Sequence, residues 1–219
     1  MTSQTRLIAT SAISWIDGAL FPWEALREET GVAVLVDGAQ SAGAVAVDAT
    51  SADFYTVSAQ KWLCGPDGSG ALYVREPEAL RPRLISYPSQ AEYDIAAATW
   101  VPKAGAARFD PVFAGATSVA GLEAALTGLP AGRFERARNL TALFRERLLA
   151  AGFDVVSEAG QGPLVSFRVH GEPAETVESL YDRGVVLREL PGTGLLRASV
   201  GWWNDEHDLE RLLEGISAR

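Results

Sequence analysis

Two apolar runs, each closed by polar residues, restrict this chain more than anything else in it. Val32 to Val36 is apolar and rich in β-branched residues, and it stops at an acid, Asp37. A run without polar alternation is the pattern of a strand covered on both faces, as in a parallel sheet. Phe54-Tyr55-Thr56-Val57 repeats the pattern and stops at Ser58. Leu7-Ile8-Ala9 opens an apolar strand before them, and Gly70-Ala71-Leu72-Tyr73-Val74 follows them. Pro22 to Thr30 reads as a short helix, with Pro22 near its first turn and Gly31 at its end. Strands alternating with short helices predict an α/β layer around a mostly parallel sheet. Ligands on such sheets collect beyond the carboxyl ends of the strands, where Asp37 and Ser58 fall.

The remainder reads differently. Residues 76–115 hold five prolines and are expected to form a linker helix followed by loops. Gly115 to Leu126 carries Val119, Leu122 and Leu126 at helical spacing. Phe134 to Ala151 is the clearest helix: Leu140, Leu143, Phe144 and Leu148 share one face, and Gly152 ends it. Strands are expected at Phe153–Val156, Leu164–Val169, Val185–Leu187 and Leu195–Val200, with a helix near Ala174–Arg183. The last helix is expected to start at Asn204 as N-cap and to bury Leu209, Leu212, Leu213 and Ile216. These signals divide the chain into a partial α/β domain over 1–80, an irregular linker over 81–115 and a small α+β domain over 116–219.

Composition excludes several functions. The net charge of −9 argues against a nucleic-acid binder, which needs a basic face. One cysteine, Cys64, permits no internal disulfide and fits a reducing compartment; it is expected to be a buried structural thiol. His170 and His207 are the only histidines, too few for a zinc site or a histidine triad, so no metal is expected. No apolar run reaches the roughly 18 residues of a membrane span. The first residues lack the shape of a signal peptide, so a cytoplasmic protein is expected.

The chemistry lies in Asp37, Ala39 and Gln40, followed by Ser58-Ala59-Gln60-Lys61-Trp62. An acid that keeps a pyridine protonated and a lysine that joins an aldehyde are what pyridoxal 5′-phosphate chemistry requires. Asp37 is expected buried beside the ring nitrogen, where opposite charges favour both charged forms. Gln40 can hydrogen-bond the ring 3-oxygen, Ala39 can lie flat on the ring, and Ser58 and Gln60 offer uncharged donors to a phosphate. Lys61 needs an unprotonated amine, and hence a desolvated site. Singly, each is an ordinary cap, loop or surface residue. In this order, at the ends of two successive strands, they form a set. The glycine-rich run Gly65 to Gly70 matches no P-loop spacing.

Val36 to Arg75 resembles the class V aminotransferase family, the fold-type I pyridoxal phosphate enzymes that include cysteine desulfurases. The resemblance extends to Ser11-Ala12-Ile13-Ser14-Trp15, to Leu196-Arg197-Ala198-Ser199 and to Trp203-Asn204-Asp205-Glu206. It implies the C-terminal half of the family's large domain followed by a small α+β domain. It implies Asp37 on the pyridine nitrogen, Ala39 on the ring, Gln40 on the 3-oxygen, Ser58 and Gln60 on the phosphate, and Lys61 as Schiff-base lysine. Arg197 would grip the α-carboxylate of an amino-acid substrate, a task for its planar fork. Thr117 would reach the phosphate of a partner subunit. The resemblance also implies a homodimer or a separate amino-terminal half, since family members are longer and carry further large-domain strands amino-terminally.

The sequence departs from the family at several points. Ala12 and Trp15 stand where members carry a histidine and an asparagine. The loop Glu189 to Gly194 lacks the cysteine of the desulfurases. Lys61-Trp62-Leu63-Cys64-Gly65-Pro66 resembles instead the carbon–sulfur lyases and epimerase-like members. The resemblance therefore implies lyase or aminotransferase-type chemistry at Cα and Cβ. The competing expectation is a non-catalytic remnant, or half of a split enzyme that serves as an interaction protein. Trp62, Trp202 and Trp203 are expected mainly to pack the core.

Overall fold

The computed structural model describes residues 1–111 and 115–217. The stretch 112–114, inside the expected linker, lies outside the described residues. The chain forms two compact units, each assembled from separate stretches. One comprises Met1–Ser11, Pro22–Ala42 and Val47–Gly128; the other comprises Ala12–Phe21, Gly43–Ala46 and Leu129–Arg219. The main junction thus falls after Gly128 rather than at residue 115, and neither unit is continuous in sequence.

The first unit is built on a four-stranded sheet of order β1-β2-β3-β4: β1 Leu7–Ser11, β2 Ala33–Asp37, β3 Phe54–Ser58 and β4 Gly70–Val74. β1, β2 and β3 run parallel, with Ser11 beside Asp37 and Asp37 beside Thr56. β4 runs antiparallel to β3, with Ser58 opposite Gly70. The sheet is therefore α/β and mostly parallel, the architecture of part of a fold-type I large domain. Val34, Val36 and Tyr55 fill its interior, and Trp23 packs on Tyr55 at 5.7 Å between ring centroids. The helix expected over 22–30 is shorter: α1 spans Leu26–Thr30 and ends at Gly31, whose φ of 65° closes the turn.

Residues 76–115 contain no α-helix among the described residues. Instead β5 Gln90–Asp94 and β6 Thr99–Pro102 form an antiparallel hairpin. Its turn is set by Asp94, whose Oδ1 accepts from the Ala96 and Ala97 amides at 2.9 and 3.0 Å. A turn made largely of alanines carries none of the glycine, proline or asparagine signals of a hairpin turn. α2 Ala116–Thr127 belongs to this unit, but Val119 and Leu126 are exposed and none of its residues is buried.

The second unit packs α3 Arg133–Ala150, α4 Pro173–Tyr181 and α5 Glu206–Ser217 with an antiparallel sheet of order β7-β9-β8. Its strands are β7 Leu164–Phe167, β8 Arg188–Leu190 and β9 Leu195–Ser199. Leu140, Phe144 and Leu148 of α3 meet Phe167, Leu196, Leu209, Leu212 and Ile216 in one apolar core, as the helical spacing predicts. Phe153–Val156 makes only a single bridge, Val155 to Phe167, and the strand expected at 185–187 lies at 188–190. The α5 cap is Asp205 rather than Asn204: the Asp205 carboxylate accepts from the Asp208 amide at 3.0 Å, and Asp208 Oδ2 accepts from the Asp205 amide.

The strap Ala12–Phe21 closes on itself through an Ile13–Leu20 bridge and lies on this unit. Ser157 Oγ donates to the Asp17 carbonyl at 2.6 Å, and Ser166 Oγ donates to the Ile16 carbonyl. Gly18 sits at φ 77° against the Leu164 carbonyl, where a Cβ would come within 2.3 Å. Only glycine meets both conditions.

Candidate functional site

The parallel register decides where the chemistry-bearing residues emerge. Asp37 is the last residue of β2 and Ser58 the last of β3, so both leave the same rim of the sheet. Gly38 lets the two strands stay close past their ends: its amide donates to the Thr56 carbonyl at 3.1 Å, and a Cβ there would lie 2.3 Å from that oxygen. Asp37 Oδ1 accepts from the Ala39 amide at 2.9 Å and from the Thr56 hydroxyl at 3.3 Å. Asp37 is exposed, not buried as expected, because it is the terminal residue of β2, at the open rim of the sheet. Beneath it, the buried Tyr55 hydroxyl and Ser41 Oγ are 2.5 Å apart, and burial pushes the Tyr55 phenol up.

The lysine loop is a closed turn between β3 and β4. The Gly65 amide donates to the Ala59 carbonyl at 2.8 Å, and the Cys64 amide donates to the Lys61 carbonyl at 3.0 Å. Cys64 closes that turn at φ 55°, an unusual angle for a side chain with a Cβ. Gln60 and Lys61 point outward, whereas Ala59 and Trp62 are buried. Lys61 is thus exposed, contrary to the desolvated amine expected, because the turn throws it clear of the buried Ala59 and Trp62. Trp62 Nε1 donates to Gln40 Oε1 at 2.9 Å and joins the two loops directly. Cys64 corrects another expectation: it is exposed, although partial desolvation pushes its thiol up from its ordinary range.

The residues on this rim fit the cofactor that the sequence implies. Asp37 Oδ2, the Gln40 amide nitrogen, the Ser58 hydroxyl, the Gln60 amide and the Lys61 amine have no hydrogen-bond partner among the described residues. An acceptor, uncharged donors and a primary amine suit a protonated pyridine, a phenolic oxygen, a phosphate and an aldehyde respectively. Thr117 lies in the first turn of α2, exposed, after the N-cap Gly115.

Arg197 belongs to the second unit, at the centre of β9. Its Nη1 donates to the Trp15 carbonyl at 2.6 Å, and its guanidinium lies 5.9 Å from the centroid of the Trp15 ring. Its Nε is buried without a partner among the described residues. Arg188 of β8 stands directly opposite it. Burial first, and the Arg188 charge second, hold the Arg197 guanidinium below its ordinary range. Sequence reading did not single out Arg188. The only signal was two arginines of like charge on strands that turned out to be neighbours, and that needs the register. No group of His, Cys, Asp and Glu able to hold a metal occurs among the described residues. Nor is any described helix long and apolar enough to cross a membrane.

A parallel rim presenting acid, amide and lysine above a mostly parallel sheet defines a pyridoxal-phosphate-type α/β fold. A family model described as aminotransferase class-V matches residues 1–212, and the chain belongs to that family, as a cysteine desulfurase-like protein. It is 32% identical over 244 residues to the isopenicillin N epimerase of Amycolatopsis lactamdurans, covering 99% of this chain and 60% of that protein. It is 29% identical to a probable cysteine desulfurase of Pseudomonas putida, covering 97% and 58%. Among solved structures, the cystine C–S lyase C-DES, in complex with its reaction product cysteine persulfide, superposes with a TM-score of 0.89 at 26% identity, covering 99% of this chain and 62% of that one. The chain thus spans about three fifths of the length of the relatives it matches.

Proposed function

We propose that this chain carries the cofactor-binding part of a pyridoxal-5′-phosphate enzyme acting on an amino acid, with C–S lyase or aminotransferase-type chemistry. The observation that carries the proposal is the shared rim: Asp37 and the Lys61 turn leave neighbouring parallel strands on one side, with their reactive atoms unpartnered among the described residues. When bound, the cofactor supplies an electron sink for charge developing at the substrate Cα. Asp37 Oδ2 would accept a hydrogen bond from the protonated ring nitrogen, while Oδ1 stays tied to Ala39 and Thr56. Gln40 would donate to the phenolic oxygen, Ala39 would pack on the ring, and Ser58 and Gln60 would donate to the phosphate. Lys61 is the covalent anchor and then the base that moves the Cα proton. Arg197 would take the substrate α-carboxylate through its guanidinium. Thr117 serves the phosphate of a second subunit in a homodimer.

The test is spectroscopic. Purified protein mixed with the cofactor should develop a near-visible absorption band that borohydride fixes, and Lys61→Ala should abolish it. Pyruvate should then form from cysteine or cystine. A wild-type protein that stays colourless at saturating cofactor sinks the proposal.

A second reading rests on the sheet edges. β1 and β4 each have one strand neighbour among the described residues, and open edges invite pairing. On this reading the chain is one half of a split enzyme, or a non-catalytic remnant retained for interaction. Cofactor binding that appears only on adding a second polypeptide would favour the split form.

A further inference from the structure

We infer that Trp62 is a positioning residue for the site: its indole N–H holds the Gln40 side chain with the amide NH2 turned away, as a fixed donor. The inference rests on the proposed function and assigns a role to a residue that it leaves unused.

An indole N–H donates and cannot accept. The group facing Trp62 Nε1 at 2.9 Å is therefore the Gln40 amide oxygen, and the chemistry of the pair fixes which end of the amide is which. The amide nitrogen then faces the other way. It has no partner among the described residues. Trp62 is 4% exposed, so its ring is held by packing. It also follows Lys61 directly in sequence. One buried ring therefore fixes the backbone that presents the amine and the amide that presents the donor, across 22 residues of sequence. An unanchored glutamine would sample both amide orientations, one of them placing an acceptor where a donor is needed. Fixing the amide in advance removes that loss at the moment of binding.

The consequence is electrostatic. A donor to the 3-oxygen of the bound cofactor favours its anionic form. With the cofactor held on Lys61, that oxygen would share a proton with the lysine nitrogen. A weaker or misoriented donor lets the pair hold its proton more tightly, so the midpoint of the visible band's pH titration must rise.

Trp62→Phe keeps an aromatic ring in the pocket and removes the donor. In cofactor-loaded protein the midpoint should rise by about half a pH unit or more, which corresponds to a roughly threefold change in proton affinity. Gln40→Ala should raise it at least as far, and Trp62→Phe should add nothing in the Gln40→Ala background. A purely structural role for Trp62 would give the same shift in both backgrounds. The cofactor-free protein gives a second readout: the Trp62 indole proton should exchange slowly with solvent in wild type and faster in Gln40→Ala. This comparison stands even if Trp62→Phe does not fold. An unmoved midpoint, an equal shift in both backgrounds, or an indole proton indifferent to Gln40→Ala overturns the positioning role alone. A wild type with no band removes the proposed function and this inference with it.

Discussion

Asp37 uses one oxygen for its own loop and keeps the other for a ligand, and this division can be tested. Asn at position 37 can still accept from Ala39 and Thr56, but it carries no charge. Asp37→Asn should leave the melting temperature within about 2 °C and lower kcat/KM of the reconstituted enzyme by roughly 10²–10⁴. A variant that melts early instead would make Asp37 a structural residue. Cys64 gives a second residue-scale test. Its thiol is exposed, yet desolvation pushes its pKa up. The thiolate is the reactive form, so its iodoacetamide rate at pH 8 should fall below that of a free cysteine and keep climbing at pH values where the free thiol has levelled off. The same shift has a stability sign. The folded thiol binds its proton more tightly than the unfolded one, so its contribution is present below the unfolded pKa and is lost as pH rises through the folded one. Sequence order placed Asp37, Gln40 and Lys61 at or just past the ends of two strands, and the structure puts them on one rim. Their exposure was not legible. Hydrophobic patterns report whether a strand is buried and say nothing of the exposure of the polar residue that ends it.

Elements explain why the strand pattern read well and other parts did not. β1 to β4 announce themselves by apolar runs, whereas the antiparallel direction of β4 follows a seven-residue loop, closed between Ala59 and Gly65, that no composition reveals. The β5–β6 hairpin escaped for a similar reason, its turn being held by one Asp94 carboxylate among alanines. Gly38 is where β2 and β3 come close past their paired ends. A Cβ there would collide with both the Thr56 carbonyl and the Tyr55 ring. Neither obstacle is the far end of a flexible side chain, so Gly38→Ala should destabilise the protein by about 3 kcal/mol. Urea titration would show this as an earlier midpoint with an unchanged m-value. A change within error would mean that β2 and β3 separate at no cost.

At the scale of the molecule, the interleaving of the two units was not legible in the sequence. Patterns run along a sequence, and the strap Ala12–Phe21 joins the second unit through Ser157, Ser166 and Gly18, contacts far apart in the chain. A fragment of residues 129–219 lacks that strap. It should melt well below the same fragment with residues 12–21 supplied as a linked peptide, as followed by circular dichroism. Equal melting temperatures would make the strap a passenger.

The lysine turn joins strands that are neighbours both in sequence and in space, whereas Asp37 reaches β3 only across the longer crossover that parallel pairing requires. Hairpins zip in microseconds, and distant pairings lag behind them. During synthesis and refolding, then, the amine-bearing turn takes shape first and stands ready while the carboxylate is still being delivered to its side.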